Sequence, residues 1–383
     1  MTASALTRPG ERARLPVKIG EIDWRLTLII SILAGIGAVM LYSVGGGSWS
    51  PWAGAHLTRF GFTLVIMLVL ALVDIRVWFM IAYPAWIMAL LLLVGVELFG
   101  YTAMGATRWL DIGPLRLQPS EIMKVAVVLA LARWYHGASA QDARFSWKLI
   151  FPIGIIMMPV LLVAKQPDLG TAVLIVLTGG SIMFVAGLSW KIIAAAVAGA
   201  AVAIPPFIAF VLHDYQRERI MTFMNPEADP SGAGYHILQS KIAMGSGGVF
   251  GRGLGLGSQS QLEFLPEKQT DFIFASVAEE MGLLVGLVVL GLYLAAIVIS
   301  LRIASQSHSH FGRLAAAGVT ATFAYYVLIN GAMIMGMAPV VGVPMPLLSY
   351  GGTVMLTVMI GFGLIQSIRV HRYTELPRGR GLI

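Results

Sequence analysis

The feature that most constrains this chain is a series of ten apolar runs, each about the length of one bilayer crossing. They lie roughly at 24–43, 57–73, 77–99, 119–135, 149–164, 169–188, 191–212, 271–301, 313–336 and 350–369. Lipid offers backbone groups no hydrogen bonds, so such runs cross it as helices. The pattern predicts an all-α polytopic membrane protein of about ten transmembrane helices. Composition agrees: 12% of residues are charged, against about 25% in a typical soluble domain.

Charge gives an orientation. Arg8, Arg12, Arg14, Lys18 and Arg25 precede or open the first run, which reads as a signal anchor, and Arg369, Arg372, Arg378 and Arg380 follow the last. Lys and Arg collect in cytoplasmic loops, so both tails, 1–23 and 370–383, are expected in the cytoplasm, flanking a membrane domain over 24–369. The net charge of +7 follows from this bias and does not call for nucleic acid. The chain has no Cys, which excludes disulfides and a thiol nucleophile.

This orientation puts a polar, Gly-rich segment, 213–270, outside the membrane as a long loop. Spanning helices can be joined by far shorter connections, so the segment is a candidate for function. Positive residues on that outer side (Arg59, Arg108, Arg116, Lys165, Arg217, Arg219, Lys241, Arg252 and Lys268) run against the usual bias and suggest an anionic ligand. The glycines between Gly245 and Gln261 could cradle phosphate through backbone N–H groups, or form a flexible loop.

Five groups of residues could carry chemistry. Glu263, Glu267, Lys268 and Asp271 close the polar segment where an apolar helix begins. Thr270 is expected as its N-cap with Asp271 in the first turn, where free N–H groups favour a carboxylate. Asp271, Ala275, Ala278 and Gly282 would then share one small-residue face. Glu279 and Glu280 lie deeper in that span, where ionisable groups are costly; pairing with a basic residue of a neighbouring helix is expected. Glu121 and Lys124, at i and i+3, suit a buried ion pair, near the interface residues Arg108 and Trp109. Lys165 and Asp168 are expected as a further pair, with Asp168 able to cap the next helix. Finally, prolines and glycines between Asn330 and Thr353, around Ser349, predict a broken or re-entrant segment, tolerated where it lines a cavity. His213, His236 and His56 have no spacing that defines a metal site.

The strings QPSE, QPDLGT, QSKIA, SQSQLEFLPEKQTDF, AEEMG and PVVGVPMPLLSYGG occur in that order. Together they resemble the SEDS family (shape, elongation, division and sporulation) from about Asp23 to Arg372. RWLDIG at 108–113 and PVVGVPMP at 339–346 resemble its rod-shape, or elongation, branch more than its division branch. GAMIMGMAP at 331–339 and Thr353 depart from the common pattern.

The resemblance implies an inverting peptidoglycan glycosyltransferase in the bacterial cytoplasmic (inner) membrane. It would polymerise the lipid-linked disaccharide lipid II on the outer face. It implies a class B penicillin-binding protein and other elongation-complex membrane proteins as partners. Asp271 would be the catalytic carboxylate. Arg108, Trp109, Glu121, Lys124, Lys165, Asp168, Arg217, Arg219, Lys241, Glu263, Glu267, Lys268, Glu279, Glu280 and Ser349 would bind substrate or support the site. A divalent cation, Mg or Mn, could assist the pyrophosphate leaving group, with ligands the sequence does not define. A division-branch member with the same chemistry, a lipid II flippase and a recruiting scaffold are the rival readings.

Overall fold

The computed structural model of the chain describes residues 14–377, apart from 104–105, 113–114, 145, 211–216, 218–220, 225–232, 263 and 266. All ten apolar runs are helices: α1 (Trp24–Val44), α2 (Gly54–Leu72), α3 (Ile75–Phe99), α4 (Pro119–Gly137), α5 (Ile150–Lys165), α6 (Leu169–Val185), α7 (Trp190–Phe210), α9 (Ile273–Gln306), α10 (His310–Ile334) and α11 (Gly352–Val370). Seven of them, with their flanking turns, are long and apolar enough to cross a membrane by themselves. The exceptions are α4, α6 and α7. The molecule is a multi-pass helical membrane protein.

Short polar caps fix the starts of several helices. Asp23, Asp74, Asp168 and Ser309 each accept a bond from a first-turn N–H of α1, α3, α6 and α10. Pro119 opens α4, where its missing N–H costs nothing. Between α3 and α4 the chain forms a small antiparallel sheet of β1 (Tyr101–Ala103), β2 (Ala106–Ile112) and β3 (Leu115–Leu117), in the order β1-β2-β3. The innermost helices are α4, whose buried residues run from Pro119 to His136, and α11, buried over most of its length. Helix α4 packs against α3, α5, α6 and α10, and α11 lies along α2.

The expected loop over 213–270 is not a loop throughout. It contains α8 (Ala233–Ser246), on which Ile237, Ser240 and Ala243 are buried at three-residue spacing. Small and polar residues on that face conceal the apolar helical period in the sequence.

Helix α9 has 34 residues, about 51 Å at the usual rise, well beyond the ~30 Å hydrocarbon core. It is broken at Gly282, whose φ is +80°. The break frees four backbone groups, and the Gly-rich segment 247–257 satisfies all of them. Arg252 N donates to Glu279 O (3.0 Å) and Gly253 N to Glu280 O (2.9 Å), while Leu283 N donates to Gly248 O (3.0 Å) and Leu284 N to Val249 O (3.2 Å). These four peptide groups are therefore paired despite the break. The glycines therefore allow close backbone approach and do not form a flexible loop. A Cβ on Gly251, at φ +81°, would collide with the Glu280 carbonyl.

Gly251→Ala is expected to destabilise the protein by ~1–3 kcal/mol, read as a lower thermal midpoint in detergent. Gly245→Ala is the control. Gly245 lies in α8 with nothing within 4 Å of an added Cβ, and is expected to be neutral or better. Equal tolerance at both positions would contradict this account of the break.

Candidate active site

Asp271 stands just ahead of α9, not in its first turn as the sequence suggests: the N-cap is Phe272 and the helix begins at Ile273. A tight turn competes with the cap. Thr270 N and Phe272 N both donate to Glu267 O, at 3.0 and 3.3 Å. The Thr270 hydroxyl reaches Glu267 Oε2 at 2.8 Å and does not cap α9. The helical face expected to join Asp271 to Gly282 is likewise lost, at its start by this turn and at its end by the break.

Three consecutive carbonyls fix the segment instead. Gln269 O accepts from Tyr350 N (2.8 Å), Thr270 O from Ser349 Oγ (2.6 Å) and Asp271 O from Asn330 Nδ2 (2.8 Å). These donors belong to α10 and to the irregular segment 337–351, which matches the broken segment expected from its prolines and glycines. Gly342 has φ +72°, and a Cβ there would lie 3.7 Å from Asp271 Oδ2. The carboxylate therefore lies close to the irregular backbone.

That segment is wedged between helices. At Gly37 of α1 a Cβ would come within 2.7 Å of Leu347 O, and at Gly170 of α6 within 2.6 Å of Val341 O. Ser349 Oγ also accepts from Met345 N (2.8 Å), which ties the segment to itself. The Arg59 guanidinium lies over the Tyr350 ring at 4.5 Å and donates to its hydroxyl at 3.0 Å. Arg59, Tyr350, Asn330 and Gly342 all border this site. In the sequence, the hint for Arg59 is its position on the side disfavoured for cations.

Glu121 and Lys124 form the expected buried pair at 2.7 Å, and Tyr326 of α10 joins it, donating to Glu121 and accepting from Lys124. Asp168 caps α6 through Thr171 N (3.2 Å) and accepts from Gln118 Nε2 (3.2 Å). The expected Lys165–Asp168 pair does not form. Lys165 ends α5 and reaches Glu97 of α3 at 2.6 Å, with 69% of its side chain exposed, while Asp168 turns to the N–H groups of the next helix. Arg108 donates to Pro167 O, and Trp109 is held in β2 opposite Tyr101.

Glu279 and Glu280 take no cation as partner among the described residues, contrary to expectation. Glu279 accepts from Gln259 N (2.9 Å), Ser260 N (3.2 Å) and Ser258 Oγ (3.3 Å). Glu280 accepts from the hydroxyls of Ser43 and Ser260, from Gly255 N (3.1 Å) and from Gln261 Nε2 (3.3 Å). Three of the N–H groups read as a phosphate cradle, those of Gly255, Gln259 and Ser260, are thus occupied by the protein's own carboxylates, and those of Arg252 and Gly253 by helix carbonyls. Lys268 is also committed locally, donating to Ser260 O at 2.7 Å.

Lys241 is exposed on α8, with its stem across Gly336 at the end of α10, next to the irregular segment. Arg217 is exposed. Arg219, Glu263 and His213 lie outside the described residues. Among those described, no group of three His, Cys, Asp or Glu could hold a metal ion by itself.

The structure is a helical membrane protein with a wedged irregular segment beside a carboxylate at a helix start, and comparison with known proteins places the chain in a family. The chain belongs to the FtsW/RodA/SpoVE family, described as "Cell cycle protein", whose profile matches residues 24–374. It is 45% identical to the peptidoglycan glycosyltransferase MrdB of Escherichia coli K12, over 92% of this chain and 94% of that protein. One similar solved structure is titled for the coordination of polymerization and crosslinking by a peptidoglycan synthase complex. Its TM-score is 0.79 at 28% identity, covering 92% of this chain and 98% of that one. Another is the rod shape determining protein RodA of Thermus thermophilus, with a TM-score of 0.70 at 26% identity, covering 92% and 98%.

Proposed function

We infer that the chain is a peptidoglycan glycosyltransferase that polymerises lipid II, with Asp271 as its general base. The observation that carries the site assignment is the triple carbonyl grip on 269–271, which fixes the backbone that carries one carboxylate at the head of α9.

In this reading the acceptor sugar hydroxyl gives its proton to the Asp271 carboxylate as its oxygen attacks the donor's anomeric carbon. The anomeric C–O bond breaks as the new one forms, and the polyprenyl pyrophosphate leaves as an anion. One displacement inverts the anomeric centre, so no second nucleophilic carboxylate is needed. Cationic groups bordering the site serve the leaving group electrostatically; Arg59 and Lys241 are the candidates among the described residues. Mg commonly takes one or two carboxylates together with substrate phosphates. A divalent cation therefore fits here only with the pyrophosphate supplying most of its ligands, where it would neutralise the leaving charge.

The positive-inside bias supports cytoplasmic termini and an outer active site. The structural relative titled as a synthase complex supports a class B penicillin-binding protein as partner. The identity to MrdB and the likeness to a rod shape determining protein support a role in elongation.

The test is purified full-length chain with lipid II in detergent, with and without such a partner. Glycan polymer is expected, reduced by EDTA and restored by Mg or Mn. Detergent micelles have no second compartment, so a flippase would form no polymer there. Absence of polymer both with and without the partner would contradict the enzymatic reading.

A further inference from the structure

Asn330 lies on α10 with none of its surface exposed. Its amide nitrogen donates to two carbonyls at once: Asp271 O at 2.8 Å and Val343 O at 2.7 Å. Only the NH2 end of the amide can serve two carbonyl acceptors, which fixes the orientation of the group. One of those carbonyls belongs to the residue carrying the proposed base. The other lies one residue beyond Gly342, whose backbone approaches that base.

We propose that Asn330 is a positioning residue for the glycosyl transfer: its amide sets the distance between the Asp271 carboxylate and the irregular segment that forms the wall beside it. The proposal rests on the reading of Asp271 as the base. The other two links of the grip come from Ser349 and Tyr350, which hold Thr270 and Gln269. Asn330 alone among these donors bonds to both the peptide of Asp271 and the segment facing it.

Packing alone does not account for an asparagine here. Its Oδ1 is buried without a hydrogen-bond partner among the described residues, a situation folded proteins avoid unless the group has another use. An apolar side chain of similar size would fill the space but would leave the Asp271 and Val343 carbonyls without this donor.

The substitution Asn330→Ala removes both bonds and leaves the Asp271 side chain chemically unchanged but free to shift. A displacement of about 1 Å in a catalytic group can cost about 100-fold, so kcat is expected to fall by that order. KM for lipid II should stay within about two-fold, since uniform substrate binding is not what the amide supplies. Asn330→Asp provides a second readout. Its protonated form can donate to one of the two carbonyls, whereas its anion can donate to neither, so the ratio of its kcat to wild type should rise as pH falls.

Both variants and Asp271→Asn are assayed as full-length protein with lipid II, with the folded fraction measured by thermal melting. The proposal is overturned if Asn330→Ala keeps wild-type kcat, or if its activity falls only in proportion to the folded fraction. It is equally overturned if the loss appears in KM, or if the Asn330→Asp ratio does not depend on pH. Inactive Asp271→Asn beside a wild-type-like Asn330→Ala would reject the clamp alone. Active Asp271→Asn would reject the base itself.

Discussion

Asp271→Asn is expected to leave a folded membrane protein that polymerises lipid II about 10²–10⁴ times more slowly, the range attributed to a positioned general base. The substitution keeps the shape of the side chain and leaves the backbone grip intact, because the three tied groups are the carbonyls of Gln269, Thr270 and Asp271. Stability should therefore change little. If the carboxylate acts only in the transition state, kcat and kcat/KM should fall together. A rise in KM at constant kcat would instead assign Asp271 to substrate binding. Gel analysis of the polymer with matched thermal melts separates these outcomes.

The second large effect is on stability. Lys124 and Glu121 are 0% and 4% exposed and 2.7 Å apart, with Tyr326 bridging them to α10. Lys124→Met leaves the Glu121 carboxylate buried with a phenol hydroxyl as its remaining partner from this cluster. Removing one member of such a pair costs about 3–5 kcal/mol. The thermal midpoint in detergent should drop sharply, and most of the loss should return in the double variant Glu121→Gln/Lys124→Met, which removes the stranded charge. Additive losses in the double variant would show that the two residues do not act as a pair.

The helices were legible because their signal is local. An apolar run of bilayer length forms a helix in lipid whatever surrounds it, and all ten runs did so. The Glu121–Lys124 pair and the Asp168 cap were legible for the same reason, since each depends on spacing within one helix. What could not be read were the partners chosen across the fold. Lys165 prefers Glu97 of α3, and Glu279 and Glu280 bind the N–H and hydroxyl groups of residues 255–261. The glycines of 247–257 look like flexibility or a phosphate cradle until the break at Gly282 is seen to need their backbone groups.

Asp271 shows both sides of this limit. The family motif singles it out as the catalytic candidate, but its setting could not be read. The sequence offers Thr270 as a helix cap, and the competing turn from Glu267 wins. Asn330, which ties the peptide of Asp271 to Val343, is 59 residues from the first and 13 from the second. No periodicity connects positions so far apart.

The most direct test of the central claim is the pH dependence of kcat/KM for lipid II polymerisation by wild type and Asp271→Asn. A general base must be deprotonated to act, so wild-type activity should fall tenfold per pH unit on the acid side. That limb should be missing from the residual activity of Asp271→Asn. The same acid limb in both proteins would show that the titrating base lies elsewhere and would contradict the assignment.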